Sequence, residues 1–195
     1  MTLPREVAPV RAQRILLIGS GGAGKSTLAR ELAARLALPL IHLDRHYWHP
    51  GWQPTSAAEW EAEVDRLIAE PRWVMDGNYG GTMERRIRRA DAVILLDLPR
   101  WLCLWRVLRR QIRFLGRTRP ELPAGCPERL NLEFVSWIWT YPQRKRGPIL
   151  RMLAELPAET SVVILRSAHD VRQLVATLPQ GPAVPGGSTC ASETG

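Results

Sequence analysis

The sequence feature that most constrains the fold is a glycine-rich run from Gly19 to Ser26, which reads GSGGAGKS. It fits the pattern Gly-x-x-x-x-Gly-Lys-Ser, in which glycines let backbone N–H groups converge on phosphate oxygens. A largely apolar run at residues 14–18 precedes it, and a helical pattern over residues 25–37 follows it. Strand, loop and helix in this order predict a phosphate-binding loop, because the helix N-terminus adds a favourable dipole.

We expect this loop to bind the triphosphate of ATP together with Mg²⁺. Lys25 would act in catalysis by neutralising phosphate charge, and the Ser26 hydroxyl would ligate the metal. The other loop residues predicted to contact the nucleotide are Gly19, Gly21, Gly22, Ala23, Gly24 and Thr27.

Short apolar runs alternate with helical patterns through the rest of the chain. Five strands are predicted, at residues 14–18, 40–43, 73–75, 92–96 and 161–165. Helices are predicted at residues 25–37, 56–69, 128–141, 148–156 and 170–178, with a further long one starting near Pro99. Apolar strands separated by helices indicate a parallel sheet covered on both faces, and hence an α/β three-layer sandwich of the P-loop NTPase type.

Three carboxylates follow predicted strands, at the sheet edge where ligands of such folds bind. Asp44 comes after the second strand and is assigned a catalytic role, because it could accept the proton or hydrogen bond of an acceptor hydroxyl. Asp76 follows the third strand and Asp97 the fourth, and either could hold a Mg²⁺-bound water. A loop of aromatic residues, 46–52, either walls an acceptor pocket or packs over the core.

The positive charge of the chain is concentrated in one segment. Residues 100–151 contain twelve Lys or Arg and three acidic residues. The rest of the chain contains fifteen Lys or Arg and sixteen acidic residues. Arginines on a mobile segment can stabilise charge during transfer, so residues 109–147 are predicted to form a helical, Arg-rich, lid-like insertion. Arg113, Arg117 and Arg119 are assigned to catalysis, and Arg109 to the nucleotide. The alternative is a solvated basic surface.

The helix predicted from Pro99 carries an apolar stripe at helical spacing. Its members are Trp101, Trp105, Leu108, Ile112 and Leu115. Stripes of this kind usually face the core, and a core position is the prediction here.

Length and missing motifs narrow the class of nucleotide-binding protein. The motif Asn-Lys-x-Asp of GTPases is absent from the sequence, and ABC or AAA+ ATPases need longer domains. An ATP-dependent kinase for a small hydroxyl- or phosphate-bearing acceptor, such as a nucleoside or nucleotide, fits best. The alternative is a nucleotide-gated DNA-binding protein whose basic segment contacts the phosphate backbone.

The sequence also resembles a known family. Runs at residues 41–44, 50–52, 73–79, 96–100, 116–122 and 125–139 are similar to those of FlaR-type DNA topology modulation proteins, relatives of the adenylate kinases. The resemblance implies an adenylate-kinase-like P-loop kinase with strand order 2-3-1-4-5, in which Asp76 serves the magnesium water. Adenylate kinases have Asp-Gly-Phe-Pro-Arg where residues 76–80 here are Asp-Gly-Asn-Tyr-Gly, which argues against AMP as the acceptor.

Composition sets the remaining limits. With 195 residues the chain fits one folded domain, predicted at residues 14–178 between disordered ends at 1–13 and 179–195. No apolar run approaches the ~20 residues of a membrane span, and the N-terminus lacks a signal-peptide pattern. A cytoplasmic protein without a membrane partner is expected, and its oligomeric state is left open.

Overall fold

The computed structural model describes residues 11–119, 121–128 and 131–179. Five strands form one parallel sheet: β1 (Arg14–Gly19), β2 (Leu40–His42), β5 (Trp73–Asp76), β6 (Ala92–Leu96) and β7 (Ser161–Leu165). Two short strands, β3 (Trp48–His49) and β4 (Gln53–Pro54), form an antiparallel hairpin. The order across the sheet is β2-β5-β1-β6-β7. Counted over the five sheet strands this is 2-3-1-4-5, so the predicted fold class and strand order are confirmed.

Eight α-helices connect and cover the strands in the described part of the chain. They are α1 (Lys25–Leu36), α2 (Leu43–Tyr47), α3 (Ala57–Ala69), α4 (Met83–Arg89), α5 (Arg100–Arg113), α6 (Leu132–Tyr141), α7 (Gly147–Ala154) and α8 (Ala168–Thr177). A π-helical turn, Pro142–Arg146, joins α6 to α7. None of the helices in the described ranges has both the length and the apolar character needed to cross a membrane. Residues 1–10 and 180–195, most of the two ends predicted to be disordered, lie outside the described residues.

Each face of the sheet is covered by its own apolar cluster. Alternate side chains of β1 point to opposite faces, so Ile15 and Leu17 pack with Leu32 of α1, whereas Leu16 packs with Val64 of α3. All five side chains are buried. The resulting three layers leave the carboxyl ends of the strands as the open edge of the sheet.

Side-chain caps set the starts of three helices, α3, α6 and α8. α3 begins with a reciprocal capping box, in which Ser56 accepts from the backbone N–H of Glu59 and the Glu59 carboxylate accepts from that of Ser56. α6 begins at Leu132 and not at residue 128 as predicted, because the Asn131 side chain accepts from the backbone N–H of Phe134 at 3.1 Å.

The prediction that the apolar stripe of α5 faces the core is wrong. Trp101 is 65% exposed, Ile112 is 73% exposed, and the other three stripe residues are exposed as well. The buried side of α5 contains Cys103, Val107 and Gln111 instead. Both sets repeat at helical spacing, so periodicity alone could not tell which of them meets the core.

Candidate active site

The phosphate-binding loop lies at the carboxyl end of β1 and leads into α1. Gly19, Gly22 and Gly24 have φ angles of 144°, 77° and 97°, which residues with side chains rarely adopt. The surroundings also leave no room for a side chain, since a Cβ at Gly22 would lie 2.2 Å from the carbonyl oxygen of Cys103. α5 therefore packs directly on the loop and maintains its shape.

Lys25, the first residue of α1, points back into the loop. Its ammonium donates to the carbonyl oxygens of Gly19 at 2.9 Å and Ser20 at 2.8 Å. Burial lowers the pKa of Lys25, and the nearby carboxylates of Asp76 and Asp44 oppose that shift. The Ser20 hydroxyl is buried and, among the described residues, has no hydrogen-bond partner. A desolvated cation and a buried hydroxyl in a glycine cradle fit a polyphosphate.

The structure separates the two carboxylates that could hold a magnesium water. Asp76 ends β5 beside β1, lines the same cavity as Ser26, and lies 2.6 Å from Nδ1 of His42. Asp97 follows β6 on the other side of β1, where its carboxylate accepts from Nε of Arg146 at 2.8 Å. Asp97 lies outside the cavity. These positions favour Ser26 and Asp76 for Mg²⁺.

The segment after β5 connects the phosphate loop to the carboxylate of α2. The Asn78 side chain accepts from the backbone N–H of Gly19 at 3.0 Å and donates to its carbonyl oxygen at 2.6 Å. The Tyr79 hydroxyl donates to Oδ1 of Asp44 at 2.6 Å, and burial beside that carboxylate raises the pKa of Tyr79. Asn78 and Tyr79, two of the three residues that differ from the adenylate-kinase pattern, thus contact both halves of the site.

Arg86 of α4 fixes the backbone of this segment. Its side chain is fully buried, and its guanidinium donates to the carbonyl oxygens of Gly77, Asn78 and Tyr79. Burial lowers the pKa of Arg86 to about 10, so the guanidinium stays charged at neutral pH. Nothing in the sequence pattern indicated this role, because the three acceptors are backbone groups brought close only by the fold.

The substitution Arg86→Met is expected to lower the free energy of unfolding by about 3–5 kcal/mol, because three buried carbonyl oxygens lose their donor. Urea denaturation measures the change. Arg88→Met on the same helix is the matched control, since Arg88 is exposed and bonded to Glu84, and we expect less than about 0.5 kcal/mol there. Equal losses in the two variants would contradict the role given to Arg86.

A cavity of about 990 Å³ joins the phosphate loop to the ends of the strands. Its lining includes the predicted site residues Gly21, Gly22, Gly24, Lys25, Ser26, Thr27, Asp44, Asp76, Arg113 and Arg119. Gly19 and Ala23 lie just behind this lining. Gly19 is hydrogen-bonded to Lys25 and Asn78, and Ala23 is buried. The fold therefore brings most of the predicted residues together.

Two of the predicted arginines lie elsewhere. Arg109 is on the outer side of α5, with its guanidinium 5.4 Å from the ring centroid of Trp105, and Arg117 is exposed in the loop that follows. Their assignments to the nucleotide and to catalysis are therefore corrected. Because each helical step rotates a side chain by about 100°, Arg110 and not Arg109 faces the cavity, together with Arg106.

Two glutamates organise the arginines of the cavity. Glu128 is buried, with Oε1 3.3 Å from Nε of Arg110 and in a closer ion pair with Arg119. Glu121 forms an ion pair with Arg30 of α1 and lies 3.8 Å from Arg119. These contacts tie the loop after α5 to α1 beside the phosphate-binding loop.

Aromatic side chains form a further part of the cavity wall. Trp48 and Trp52 of the β3–β4 hairpin both line it, with ring centroids 5.4 Å apart in an edge-to-face arrangement. Nε1 of Trp52 donates to the carbonyl oxygen of Pro127 at 2.9 Å, which holds the hairpin against the loop after α5. Tyr47 packs instead on Trp60. Trp48 and Trp52 therefore line the cavity, whereas Tyr47 packs on the core.

Comparison with known proteins places the chain in a family. The shikimate kinase of Rhodopseudomonas palustris is 31% identical over an alignment of 196 residues that covers 89% of this chain and 89% of that protein. The chain belongs to the shikimate kinase family. The shikimate kinase of Thioalkalivibrio sulfidiphilus is 30% identical over 163 residues, covering 77% of this chain and 80% of that protein. No protein-family model matches the chain.

A solved member of the family shares the fold. The shikimate kinase of Acinetobacter baumannii, in complex with shikimate, matches with a TM-score of 0.54 at 18% identity, covering 87% of this chain and 92% of that one. Family membership confirms the adenylate-kinase-like P-loop kinase that the resemblance implied. The chain is therefore an ATP-dependent small-molecule kinase that uses ATP and Mg²⁺.

Proposed function

We propose that this kinase phosphorylates a hydroxyl group of a small anionic acceptor, and that shikimate is the first acceptor to test. The observation that carries the proposal is the position of Asp44, which lines the same cavity as Lys25 and Ser26. The shikimate kinase relatives support the acceptor class, and one solved neighbour contains shikimate itself. As a consumer of ATP, the enzyme is expected to work in the cytoplasm.

Asp44 would act on the acceptor hydroxyl. The Tyr79 hydroxyl orients this carboxylate through Oδ1, and the carboxylate would accept the proton of the acceptor. The acceptor oxygen bonds to the γ-phosphorus as the bond from that phosphorus to the β–γ bridging oxygen breaks, and ADP leaves. Lys25 would stabilise the charge on the transferring group. Mg²⁺, when bound at Ser26 and through water at Asp76, supplies further charge neutralisation.

An excess of positive charge in the cavity supports an anionic acceptor. Arg30, Arg110 and Arg119 share only two carboxylates in the described ion pairs, those of Glu121 and Glu128. One positive charge is left for a ligand, in a partly desolvated place where an arginine binds a carboxylate or phosphate strongly. The rings of Trp48 and Trp52 add apolar wall against which a small ring could pack.

An acceptor panel tests the proposal. The purified protein is incubated with ATP, Mg²⁺ and one of four acceptors (shikimate, a nucleoside, a nucleoside monophosphate or glycerol), and products are detected by mass spectrometry. We expect phosphorylated shikimate and no transfer to glycerol, which carries no anion. Transfer to a nucleoside or nucleotide instead would contradict shikimate as the acceptor but would leave the assignment as a kinase in place. A protein that binds ATP and phosphorylates none of the four would contradict both.

Arg119→Met is expected to raise KM for the acceptor by about 10- to 100-fold, because a charged hydrogen bond to the acceptor anion is lost. Steady-state kinetics with the acceptor found in the panel measures the change. Arg117→Met is the matched control, because Arg117 is exposed in the same loop and outside the cavity. A rise in KM for ATP with no change for the acceptor would assign Arg119 to the nucleotide instead.

A DNA-binding role, which the FlaR-type resemblance also suggests, stays an alternative prediction. Exposed basic side chains favour it, namely Arg109, Arg113, Arg117, Arg144 and Lys145. Binding of duplex DNA through these residues would weaken steeply as salt rises, since counterions are released from the phosphates. Duplex affinity that is immeasurable at low salt, with and without ATP, would remove this alternative.

A further inference from the structure

We propose that two copies of this chain associate as a symmetric dimer through the outer side of α5 and α6. All seven large apolar residues that are exposed in the described part of the chain lie there. They are Trp101, Trp105, Leu108, Ile112 and Leu115 of α5 and its following turn, and Leu132 and Trp139 of α6, and together they are termed the outer apolar face.

The spacing on α5 is that of a helix packing against another helix. The four exposed apolar positions on α5, Trp101, Trp105, Leu108 and Ile112, are separated by four, three and four residues, which is the repeat of a coiled-coil seam, and Leu115 continues the surface in the following turn. A different set of side chains, which includes Cys103 and Val107, packs on the core from the opposite side of the same helix. α5 therefore has two apolar sides, of which the described part of the chain covers only one.

α6 extends this surface sideways. The guanidinium of Arg100, at the start of α5, lies 4.1 Å from the ring centroid of Trp139, so the outer sides of the two helices adjoin. Leu132 is seven residues before Trp139, two helical turns away on the same side of α6. The outer apolar face is therefore a two-helix surface and not a single ridge.

The area of the face matches a protein–protein interface. With ~250 Å² for a fully exposed Trp and ~180 Å² for Leu or Ile, the exposed fractions of the seven residues amount to roughly 900 Å². The largest apolar patch of a typical monomer is about 300–600 Å². A stable interface buries about 800 Å² on each partner, so this face alone is large enough for one.

The charge distribution favours an antiparallel contact between the two copies of α5. The exposed arginines of α5, Arg109 and Arg113, both lie in its C-terminal half. A parallel pair would bring the two C-terminal halves together, which like-charge repulsion disfavours, whereas an antiparallel pair places each against the tryptophans of the other. An Arg over a Trp ring is already present within one chain, at Arg109 and Trp105.

The mass in solution is the first test, measured by analytical ultracentrifugation of the full chain over a wide concentration range at low and high salt. We expect a dimer that strengthens as salt rises, because salt screens the repulsion between two basic faces and leaves the apolar contact. Trp105→Glu combined with Ile112→Glu should give a monomer with kcat unchanged, since neither side chain lines the cavity. Ala34→Glu, at an exposed position of α1, is the control and should stay dimeric.

Disulfide crosslinking tests the orientation without depending on those variants. Leu108 is the centre of the α5 stripe, so in an antiparallel pair Leu108→Cys meets its copy, whereas Leu115→Cys does not. Both variants are made in a Cys190→Ser background, because the two other cysteines, Cys103 and Cys126, are buried. A wild-type monomer at every concentration would overturn the proposal. Crosslinking only at position 115 would also overturn it. The same holds if the protein stays monomeric and its outer apolar face binds vesicles of phosphatidylserine and phosphatidylcholine.

Discussion

Lys25→Met is expected to lower kcat by about 10³-fold and to leave the fold intact. The methionine fills a similar volume but removes the ammonium that points into the phosphate loop, so the transferring group loses a positive charge that would stabilise it. Stability should change little, because burial already disfavours the charged ammonium and lowers the pKa of Lys25. Steady-state kinetics and thermal unfolding of the same preparation measure the two effects.

The chain offers a matched control, because its second lysine, Lys145, is exposed in the π-helical turn. Lys145→Met should retain the wild-type kcat. If Lys25→Met kept more than about a tenth of the activity, the ammonium could not be a main source of transition-state stabilisation, and the assignment of the catalytic loop would be wrong.

Asp44→Asn is expected to lower kcat by about 10²- to 10⁴-fold, the range for losing a general base. Asparagine keeps the shape and can still meet the Tyr79 hydroxyl, but it cannot accept the proton of the acceptor. Pre-steady-state measurement of product formation separates this chemical defect from slow product release. ATP binding, measured by calorimetry, should be unchanged, because Asp44 acts on the acceptor side.

Tyr79→Phe distinguishes the acid–base role of Asp44 from its orientation. It removes only the 2.6 Å hydrogen bond to Oδ1 and is expected to cost about tenfold in kcat. Tyr79 is a positioning residue, so its loss must be smaller than the loss at Asp44. Equal losses would show that the hydrogen-bonded pair as a whole, and not the carboxylate, is what the reaction requires.

Much of the site could be predicted because its determinants are local in sequence. The glycines at 19, 22 and 24 are required by the backbone conformation of one short loop, and that loop identifies Lys25 and Ser26 without further information. Asp44 and Asp76 follow from the rule that ligands bind at the ends of parallel strands. The strand order came from the family resemblance, and it is correct.

What could not be predicted depends on which way a helix turns and on contacts between distant segments. Arg110 faces the cavity where Arg109 was predicted to, one position along the helix. The reason is that the packing of Cys103 and Val107 sets the orientation of α5 about its axis. Asn78 and Arg86 bind backbone groups, which leave no mark on side-chain patterns. The departure from the adenylate-kinase sequence at residues 76–80 was the one signal for Asn78, and no signal of this kind marked Arg86.

The most direct test of the central claim compares ADP release with product formation, in the presence and absence of the acceptor. For the wild type we predict ADP release that depends on the acceptor, with one phosphorylated acceptor formed for each ADP. In both Lys25→Met and Asp44→Asn, acceptor-dependent ADP release and formation of the phosphorylated acceptor should be lost together. Equal ADP release with and without the acceptor, and with Asp44→Asn as active as the wild type, would contradict a kinase that acts through Asp44.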